Sequence, residues 1–474
     1  MQTLRQPNPI RSCLQGFAAA RSTRVNRQGL TLVEMLVVVA ITLIFMFALT
    51  QVFALLGDGI NSGRELIELN GQMRAITHRL QRDLDSITVP IIPWETLQNG
   101  GGYFESIEGL ATDKDVNANG TPDVDEWDND PANGIHDLSE MLFDTRLGDH
   151  DDIIMFTARS YDVPFVGKLV INNADTPEVV MIESHLAEII WWTQFTPEFD
   201  DINRNNVFDL GETKTLYRRV LLISPILSNS AIGVGVTKPD LSQAALTDKN
   251  EFVSGTADIT GSDISVRIEN GSLVMNTLAD VIKRENRVAR NLSAFPYAFD
   301  TTLIRPLRGA RRGDDVMLTR VLAFDVRVFD PMAPLVAVNG TVLAPSDPDW
   351  DPNETVVSRG AYVDLNYAGN EAVANYQGFS GPTHFKSGSL IRPTYCTWSF
   401  HYEHDGLNQD GTLDADQGTN GVDDDNMNGV DDPGERETSP PYPIPLRGMQ
   451  VKIRVYEPDS QTVRQATVTS SFSQ

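Results

Sequence analysis

The pattern of hydrophobic and polar positions changes twice along the chain. Residues 30–56 form an apolar run of 27 residues, about 40 Å as a helix, which exceeds the roughly 30 Å of a bilayer's hydrocarbon core. From residue 57 to 89 apolar side chains recur every three or four positions, which predicts an amphipathic continuation of that helix. Pro90 and Pro93 are expected to end it. The apolar stripe consists of Leu66, Leu69, Met73, Ile76, Leu80, Leu84 and Ile87.

Beyond residue 90 the pattern becomes that of a β-rich domain extending to residue 474. Short runs alternate apolar and polar residues with period two, which predicts antiparallel strands with one solvated face. Residues 277–286 predict a short helix. The fold class expected is α+β, a long N-terminal helix against an antiparallel sheet, with acidic insertions at 113–140, 200–212 and 403–437. The predicted strands are residues 153–158, 179–195, 215–224, 321–329, 361–367, 394–402, 449–456 and 462–472.

Composition excludes several classes of function. The 474 residues include 65 acids and 38 Lys and Arg, and the formal net charge of −27 argues against nucleic-acid binding. The chain contains no G-x-S-x-G element, phosphate loop or dinucleotide fingerprint, so an enzyme is not expected. Of the two cysteines, Cys13 precedes the apolar run, and Cys396 is expected to be a buried packing residue.

The N-terminal segment has the charge pattern of a membrane-targeting leader. Residues 1–29 contain five arginines and no acid, so the positive-inside rule leaves them in the cytoplasm and the domain outside it. Glu34 is the one charged residue in 30–56, and a carboxylate in a membrane span is costly and marks function. A secretory peptide would place its small-residue site after a short apolar core, whereas Gly29 precedes a long one. An ordinary signal anchor with a stray acid is the alternative.

The segment RQGLTLVEMLVVVAI resembles the N-terminal signal of type IV prepilins and type II secretion pseudopilins. The resemblance implies cleavage between Gly29 and Leu30 by a prepilin peptidase and N-methylation of Leu30. Glu34 would then pair with the N-terminal amine of a neighbouring subunit. Leu30 departs from the family, which most often has Phe there. Removing the leader changes the formal net charge from −27 to −32.

That resemblance also implies a location and a set of partners. The protein would cross the inner membrane once, with a periplasmic domain, and enter a pseudopilus. Its partners would be other pseudopilins or pilins through the helix, the peptidase and an inner-membrane assembly platform. The order of later segments, including TLYRRVLLI and the closing RGMQVKIRVY hairpin, resembles minor pseudopilin J of type II secretion. The alternatives are a minor pilin of the PilW type in a type IV pilus or competence fibre, and a membrane-anchored calcium-dependent adhesin or cargo receptor.

Three acidic loops repeat one spacing: DVNANGTPDVDE at 115–126, DINRNNVFDLGE at 201–212 and DDNMNGVDDPGE at 424–435. The spacing resembles the calcium loops of EF-hands and dockerins, in which positions 1, 3, 5, 7, 9 and 12 supply oxygen ligands. A structural Ca²⁺ site is expected in each, with plain solvated turns as the alternative. The ligand positions are Asp115, Asn117, Asn119, Thr121, Asp123 and Glu126; Asp201, Asn203, Asn205, Val207, Asp209 and Glu212; and Asp424, Asn426, Asn428, Val430, Asp432 and Glu435.

Overall fold

A computed structural model of the chain describes residues 31–92, 101–108, 152–173, 176–200, 212–224, 262–269, 272–290, 314–345, 354–367, 378–380, 393–397, 444–457 and 462–472, with positions 204, 299, 347, 350, 421–423, 426–427, 429–430 and 442. In these ranges the chain forms one long helix, α1 (Leu32–Leu84), followed by strands. The strands are β1 (Phe104–Ile107), β2 (Ile153–Arg159), β3 (Phe165–Asn173), β4 (Thr176–Ser184), β5 (Leu186–Gln194), β6 (Lys214–Leu222), β7 (Val266–Glu269), β8 (Ser272–Met275), β9 (Asp314–Val338), β10 (Thr341–Leu343), β11 (Val356–Val363), β12 (Thr394–Cys396), β13 (Gly448–Glu457) and β14 (Thr462–Ser471).

The predicted apolar stripe of α1 is buried against the β-domain. Its members Leu69, Met73, Ile76, Leu80 and Leu84 are all at most 6% exposed and belong to one apolar cluster with the sheet. These contacts lie within the second of the two units into which the chain divides, Met1–Arg64 and Glu65–Gln474. A periodic stripe of this width is the usual way in which a surface helix joins a core.

The helix ends at Leu84, earlier than the predicted end at residue 89, so assigning Ile87 to the helix was wrong. Ile87 forms a β-bridge with Ala158 of β2. The reason is hydrogen bonding: the backbone N–H of Arg159 donates to the carbonyl of Ser86 at 2.8 Å. The Thr88 N–H likewise donates to the carbonyl of Thr157 at 2.9 Å, so the chain joins the sheet here, while the amides of residues 85–87 still donate to carbonyls of the last helical turn.

Ten strands form one sheet in the order β12-β1-β2-β5-β6-β9-β13-β14, with β10 and β11 both paired to β9. Strands β3 and β4 form a separate two-stranded ribbon, as do β7 and β8. Every pairing between these described strands is antiparallel, and the isolated bridge between Leu222 and Ile264 is parallel. An apolar N-terminal helix followed by a mostly antiparallel β-domain confirms the coarse α+β arrangement expected for a pilin-like chain. The insertion at 113–140 lies outside the described residues.

Both faces of the sheet are covered near β2 and β5. Ile189 and Trp191 of β5 face the cluster that contains α1, whereas Ile190 and Trp192 face a second cluster with Val281. Burial on both sides explains why the centre of β5, residues 189–192, is four consecutive apolar residues instead of an alternating pattern. The second cluster is covered by residues 280–290, which wind into two short 3₁₀ turns.

Four predicted elements differ in the structure. The strand predicted at 361–367 is β11 at Val356–Val363, and residues 365–367 form a turn. The segment 179–195 is two strands that break at His185, where the Leu186 N–H donates to the Ser184 hydroxyl at 3.1 Å. Residues 277–286 form the 3₁₀ turns Asp280–Ile282 and Arg284–Asn286 instead of an α-helix. Strand β9 runs for 25 residues, well beyond the predicted 321–329. It is irregular at Arg320, which has a φ of 60°, and its register shifts beside this residue in the pairing with both neighbouring strands.

Candidate functional site

The first turn of α1 places Glu34 at its N-terminal end. The Thr31 backbone N–H donates to Glu34 Oε2 at 2.9 Å, and the Glu34 N–H donates to Thr31 Oγ1 at 3.3 Å. This reciprocal pattern is a capping box, which satisfies two of the N–H groups that a helix leaves open at its start. Both side chains remain exposed, so the Glu34 carboxylate is held in place locally and is still accessible to a second molecule.

The helix then continues as an exposed apolar surface. Residues Leu32–Phe53 have a mean hydropathy of 2.8, none of this span is buried, and its 22 residues are long and apolar enough to cross a membrane. Two threonines inside it do not leave open donors, because the Thr42 hydroxyl donates to the Val38 carbonyl at 2.8 Å and Thr50 donates to Met46. An apolar surface of this size requires lipid or protein to cover it.

A buried ion pair fixes the end of α1 to the sheet. Arg218 of β6 donates from Nε to Asp83 Oδ2 at 2.6 Å and from Nη2 to Asp83 Oδ1 at 3.0 Å. Trp191 of β5 donates its indole N–H to the same carboxylate at 3.1 Å. Arg218 and Asp83 are only 1% and 5% exposed at their side chains. A bidentate, desolvated pair of this kind constrains orientation as well as contributing energy.

A second buried cluster lies on the opposite face of the sheet around Glu105 of β1. Its carboxylate accepts from Arg284 Nη2 at 2.7 Å, from Arg287 Nη1 at 2.6 Å and also from Arg290. Burial alone raises the pKa of Glu105, but the charges of Arg284, Arg290 and Arg287 outweigh it and hold the pKa at about 2. Glu105 is therefore ionised and attaches residues 284–290 to the sheet.

Cys396 is buried, as the sequence predicted, and it belongs to this cluster. Its sulfur lies 3.2 Å from Arg287 Nη1, within hydrogen-bond reach. Glu188 of β5 extends the polar layer beside it, since it accepts from the Ser265 hydroxyl at 2.9 Å and from the Val288 N–H at 3.2 Å. These contacts hold residues 280–290, which cover this face of the sheet, in a defined position.

The structure places only some of the predicted site residues. Gly29 and Leu30 lie outside the described residues, as does the whole loop 115–126. The ligand positions Asp201, Asn203, Asn205, Val207, Asp209, Asp424, Asn428, Asp432 and Glu435 are also outside them. Glu34, Glu212, Asn426 and Val430 are described. Among the described residues, no group of three or more His, Cys, Asp or Glu side chains could hold a metal ion.

Parts of two predicted calcium loops are nevertheless described. At the base of the loop 201–212, Asp200 and Glu212 are both buried, and Asp200 accepts from the Thr215 hydroxyl at 2.9 Å. Burial raises the pKa of Asp200 to about 6, and Glu212 adds to the rise. In the loop 424–435, Gly429 has a φ of 107° and occupies position six, where the predicted pattern requires a sharp turn. The strands β5 and β6 that flank the loop 201–212 are paired, as predicted.

The buried charged residues were missed at the level of sequence, although two signals were present. Asp83 interrupts the apolar stripe of α1 at a core-facing position between Leu80 and Leu84, and a charge at such a position requires a partner. The spacing of Arg284, Arg287 and Arg290 is three residues, which aligns side chains on one side of a 3₁₀ turn. Neither signal identifies the partner acid or base.

Comparison with known proteins identifies the N-terminal segment. Residues 24–50 match the family model described as the prokaryotic N-terminal methylation motif. The match includes Gly29, Leu30, Glu34 and the first part of α1, and it implies a type IV pilin-like or pseudopilin-like protein processed by a prepilin peptidase. A comparison with curated proteins finds no match, and a comparison with solved structures finds none either.

Proposed function

We propose that this protein is a structural subunit, a minor pseudopilin of a type II secretion pseudopilus, that supports protein export. The observation that carries the proposal is the methylation motif running directly into the exposed apolar span Leu32–Phe53, in which the single charged residue is Glu34. A helix of this type has two environments open to it, the bilayer before assembly and the apolar interior of a fibre afterwards. The antiparallel domain that follows is then the part that faces water.

The chemistry of assembly follows from the ends of the helix. Cleavage after Gly29 makes Leu30 the N-terminal residue and Glu34 the fifth, with a new amine one turn from the carboxylate. In an apolar fibre interior that amine is costly unless a carboxylate neutralises it. The capping box keeps the Glu34 carboxylate at the start of the helix, where it is exposed to the amine of a neighbouring subunit.

Two hairpins support the likeness to minor pseudopilin J in particular. The β5–β6 hairpin carries the LYRR segment whose Arg218 binds the helix, and the β13–β14 hairpin closes the chain. A minor type IV pilin of the PilW type shares the N-terminal motif and remains the alternative. Genes for a secretion ATPase and other pseudopilins beside this one favour the first assignment, and pilus-retraction genes favour the second.

Processing and assembly are tested separately with two variants in the native host. In Gly29→Ala the mature N terminus at Leu30 is expected to be lost or strongly reduced by mass spectrometry. Glu34→Ala is expected to be processed normally, to be absent from sheared fibres and to fail to support protein export. The matched control is Glu68→Ala, which removes an exposed acid from the β-domain part of the same helix. Normal export by Glu34→Ala would contradict the assembly role.

We also propose that the acidic loops bind structural Ca²⁺. Support comes from the repeated oxygen-ligand spacing at 115–126, 201–212 and 424–435. The left-handed backbone of Gly429 and the buried acid Glu212 at a loop end are compatible with such sites. The ion would reduce repulsion among carboxylates in loops with little apolar content. The ligands would be the residues at the eighteen positions that this spacing gives.

A further inference from the structure

Strand β14 stands at one end of the ten-stranded sheet and pairs on one side only, with β13. The Phe472 N–H donates to the Arg447 carbonyl at 2.9 Å, and the pairing continues through β14 without a register shift. The backbone groups of every second residue counted back from 472 therefore point towards β13, and those of the residues between them point away from the sheet. The residues that point away form the open edge, and all of them are exposed: Val463, Gln465, Thr467, Thr469 and Ser471.

Each residue of the open edge presents one N–H and one C=O to the outside of the sheet. Within the described part of the chain, these backbone groups have no hydrogen-bond partner. A row of such groups, repeated at every second residue, is a template on which another strand can pair. Proteins in which no strand is meant to pair there protect the edge with short length, bulges, Pro or Lys, or with a covering segment.

Two other outer strands of the sheet show that protection, and β14 does not. Strand β12, at the opposite end, has three residues, and each is at most 3% exposed. Strand β11 shifts register twice in its pairing with β9. Strand β14 has ten residues, contains neither Pro nor Lys, and has Arg464 as its one charged residue. An edge this long and regular carries a risk of aggregation, and its retention favours a role in pairing.

The two faces of β14 define the side chains that a matching strand needs. On the core side Val468 is 4% exposed, and Ala466 packs against the main apolar cluster. On the other side Gln465 lies opposite Arg454, whose Nε donates to Gln465 Oε1 at 2.9 Å. Strand β14 itself contains no acid. A strand beside it therefore needs apolar residues at alternate positions, which continue the core, and neutral or acidic residues between them.

We propose that the open edge binds an extended strand of a different, neighbouring pilin-like subunit, whose sheet then continues the sheet of this protein. The inference rests on the proposed function, which places other subunits beside this one. Backbone groups of the added strand pair with those of the open edge, and its alternate apolar side chains pack beside Ala466 and Val468. In strand addition of this kind the main chain supplies the affinity and the side chains supply the selectivity.

Geometry argues against a second copy of this chain as the occupant. Two identical strands that pair antiparallel are related by a twofold axis perpendicular to their sheet, and this axis reverses any direction within the plane of the sheet. The buried residues of α1 from Leu69 to Leu84 cover about 22 Å of the sheet's face, so the helix lies along that face and would be reversed. The proposed function requires the helices of neighbouring subunits to run in the same direction.

Crosslinking in living cells tests the proposal with the full-length chain. The photoreactive residue p-benzoylphenylalanine replaces Val463, Thr467 or Ser471 in three separate strains, and adducts are mapped by mass spectrometry. We expect adducts with one segment of another chain that bears a prepilin-type N terminus. The crosslinked residue of that segment should move by about four residues for each step of the probe, because both strands of a ladder advance residue by residue.

A backbone variant tests whether the contact is a strand pairing. Thr467→Pro removes one N–H of the open edge and no hydrogen bond to β13, so with the probe at position 463 it should lower the adduct yield about tenfold. The matched control Thr467→Val keeps that N–H and should leave the yield unchanged. Urea unfolding checks that both variants are folded. Should Thr467→Pro be destabilised, Thr467→Lys/Thr469→Lys takes its place, because it charges the edge without altering the backbone, and the same fall is expected.

Several results would overturn the proposal. These are adducts with a second copy of this chain or with an exported protein, a crosslinked residue that does not move with the probe, and equal yields in a folded edge-blocking variant and in Thr467→Val. The absence of adducts at 463, 467 and 471 would do the same. A fourth strain with the probe at Phe45 separates this outcome from the proposed function. An adduct there with a pilin-like subunit, combined with none at the open edge, refutes the strand pairing and leaves the assembly role standing, whereas no adduct at any position refutes both.

Discussion

The Asp83–Arg218 pair gives the sharpest test of how α1 is held to the sheet. Replacing Asp83 with Ala leaves the guanidinium of Arg218, which is 1% exposed, without its bidentate partner. The nearest remaining acid is Asp315, at 3.6 Å, and its side chain is 64% exposed. The indole N–H of Trp191 loses its acceptor as well.

The expected cost follows from these contacts. Breaking a buried pair by removing one partner costs about 3–5 kcal/mol, because the other charge stays buried without compensation. The lost indole hydrogen bond adds about 1 kcal/mol. With a urea m-value of about 3 kcal/mol/M for a domain of this size, the unfolding midpoint of Asp83→Ala falls by about 1–2 M. The assay is urea unfolding of the full chain in detergent, followed by tryptophan fluorescence.

Two controls isolate the ion pair. Arg79 lies 3.5 Å from the same carboxylate but is 42% exposed, so Arg79→Ala should cost less than about 1 kcal/mol. The double variant Asp83→Leu/Arg218→Met removes both charges and should recover most of the stability lost in Asp83→Ala. If the double variant is as unstable as Asp83→Ala or worse, the uncompensated charge is not the cause and the reasoning fails.

Three further outcomes are expected. The arginines around Glu105 outweigh its burial and hold its pKa at about 2. The carboxylate therefore stabilises the fold fully above its ordinary pKa of about 4.3 and progressively less as the pH falls towards 2. The drop in urea midpoint from pH 6 to pH 3 should accordingly be smaller in Glu105→Gln than in the unmodified protein. Gly378→Ala would place a Cβ against the carboxylate of Asp330 and should lower the free energy of unfolding by about 2–3 kcal/mol. Gly340 has a similar positive φ but open space around an added Cβ, so Gly340→Ala should lower it by only about 1–2 kcal/mol. Ca²⁺ should raise the melting temperature relative to EGTA by an amount equivalent to about 1–3 kcal/mol per site at ten to a hundred times Kd, and Asp201→Ala or Asp424→Ala should reduce the difference; identical melting curves would mean that the loops are only solvated turns.

Local pattern was sufficient for the elements whose structure depends on neighbours along the chain. The stripe from Leu69 to Leu84 has helical spacing, and that face is the one buried. The β13–β14 hairpin pairs ten residues from Gly448 to Glu457 without a register shift, as expected from its period-two alternation. In both cases the apolar side chains that recur with the period of the element are the ones that pack against the core, so the pattern alone predicts the buried face.

The remaining features depend on contacts between distant parts of the chain. Arg218 and Asp83 are 135 positions apart, and Arg287 and Glu105 are 182 apart, so no local pattern indicates either pair. The register shifts beside Arg320 of β9 arise in its pairing with β6 and β13 together, which the pattern of a single strand does not encode. The predicted cleavage site and the predicted calcium ligands would depend on an enzyme and an ion, and most of these positions lie outside the described residues.

The position of β1 in the sheet determines the order in which the strands can pair during synthesis. Residues 104–107 emerge early, but β1 is complete only when Glu105 meets Cys396 of β12, and β13 and β14 follow later still. Pairings of such long sequence separation form slowly, because loop closure must precede the contacts that reward it. The apolar helix is therefore synthesised well before the sheet is complete, and during that interval β1 forms an exposed edge that favours aggregation. A chain truncated before β12 would keep this edge permanently open, so we expect such fragments to be insoluble even though their helix, β5–β6 hairpin and Asp83–Arg218 pair are all present.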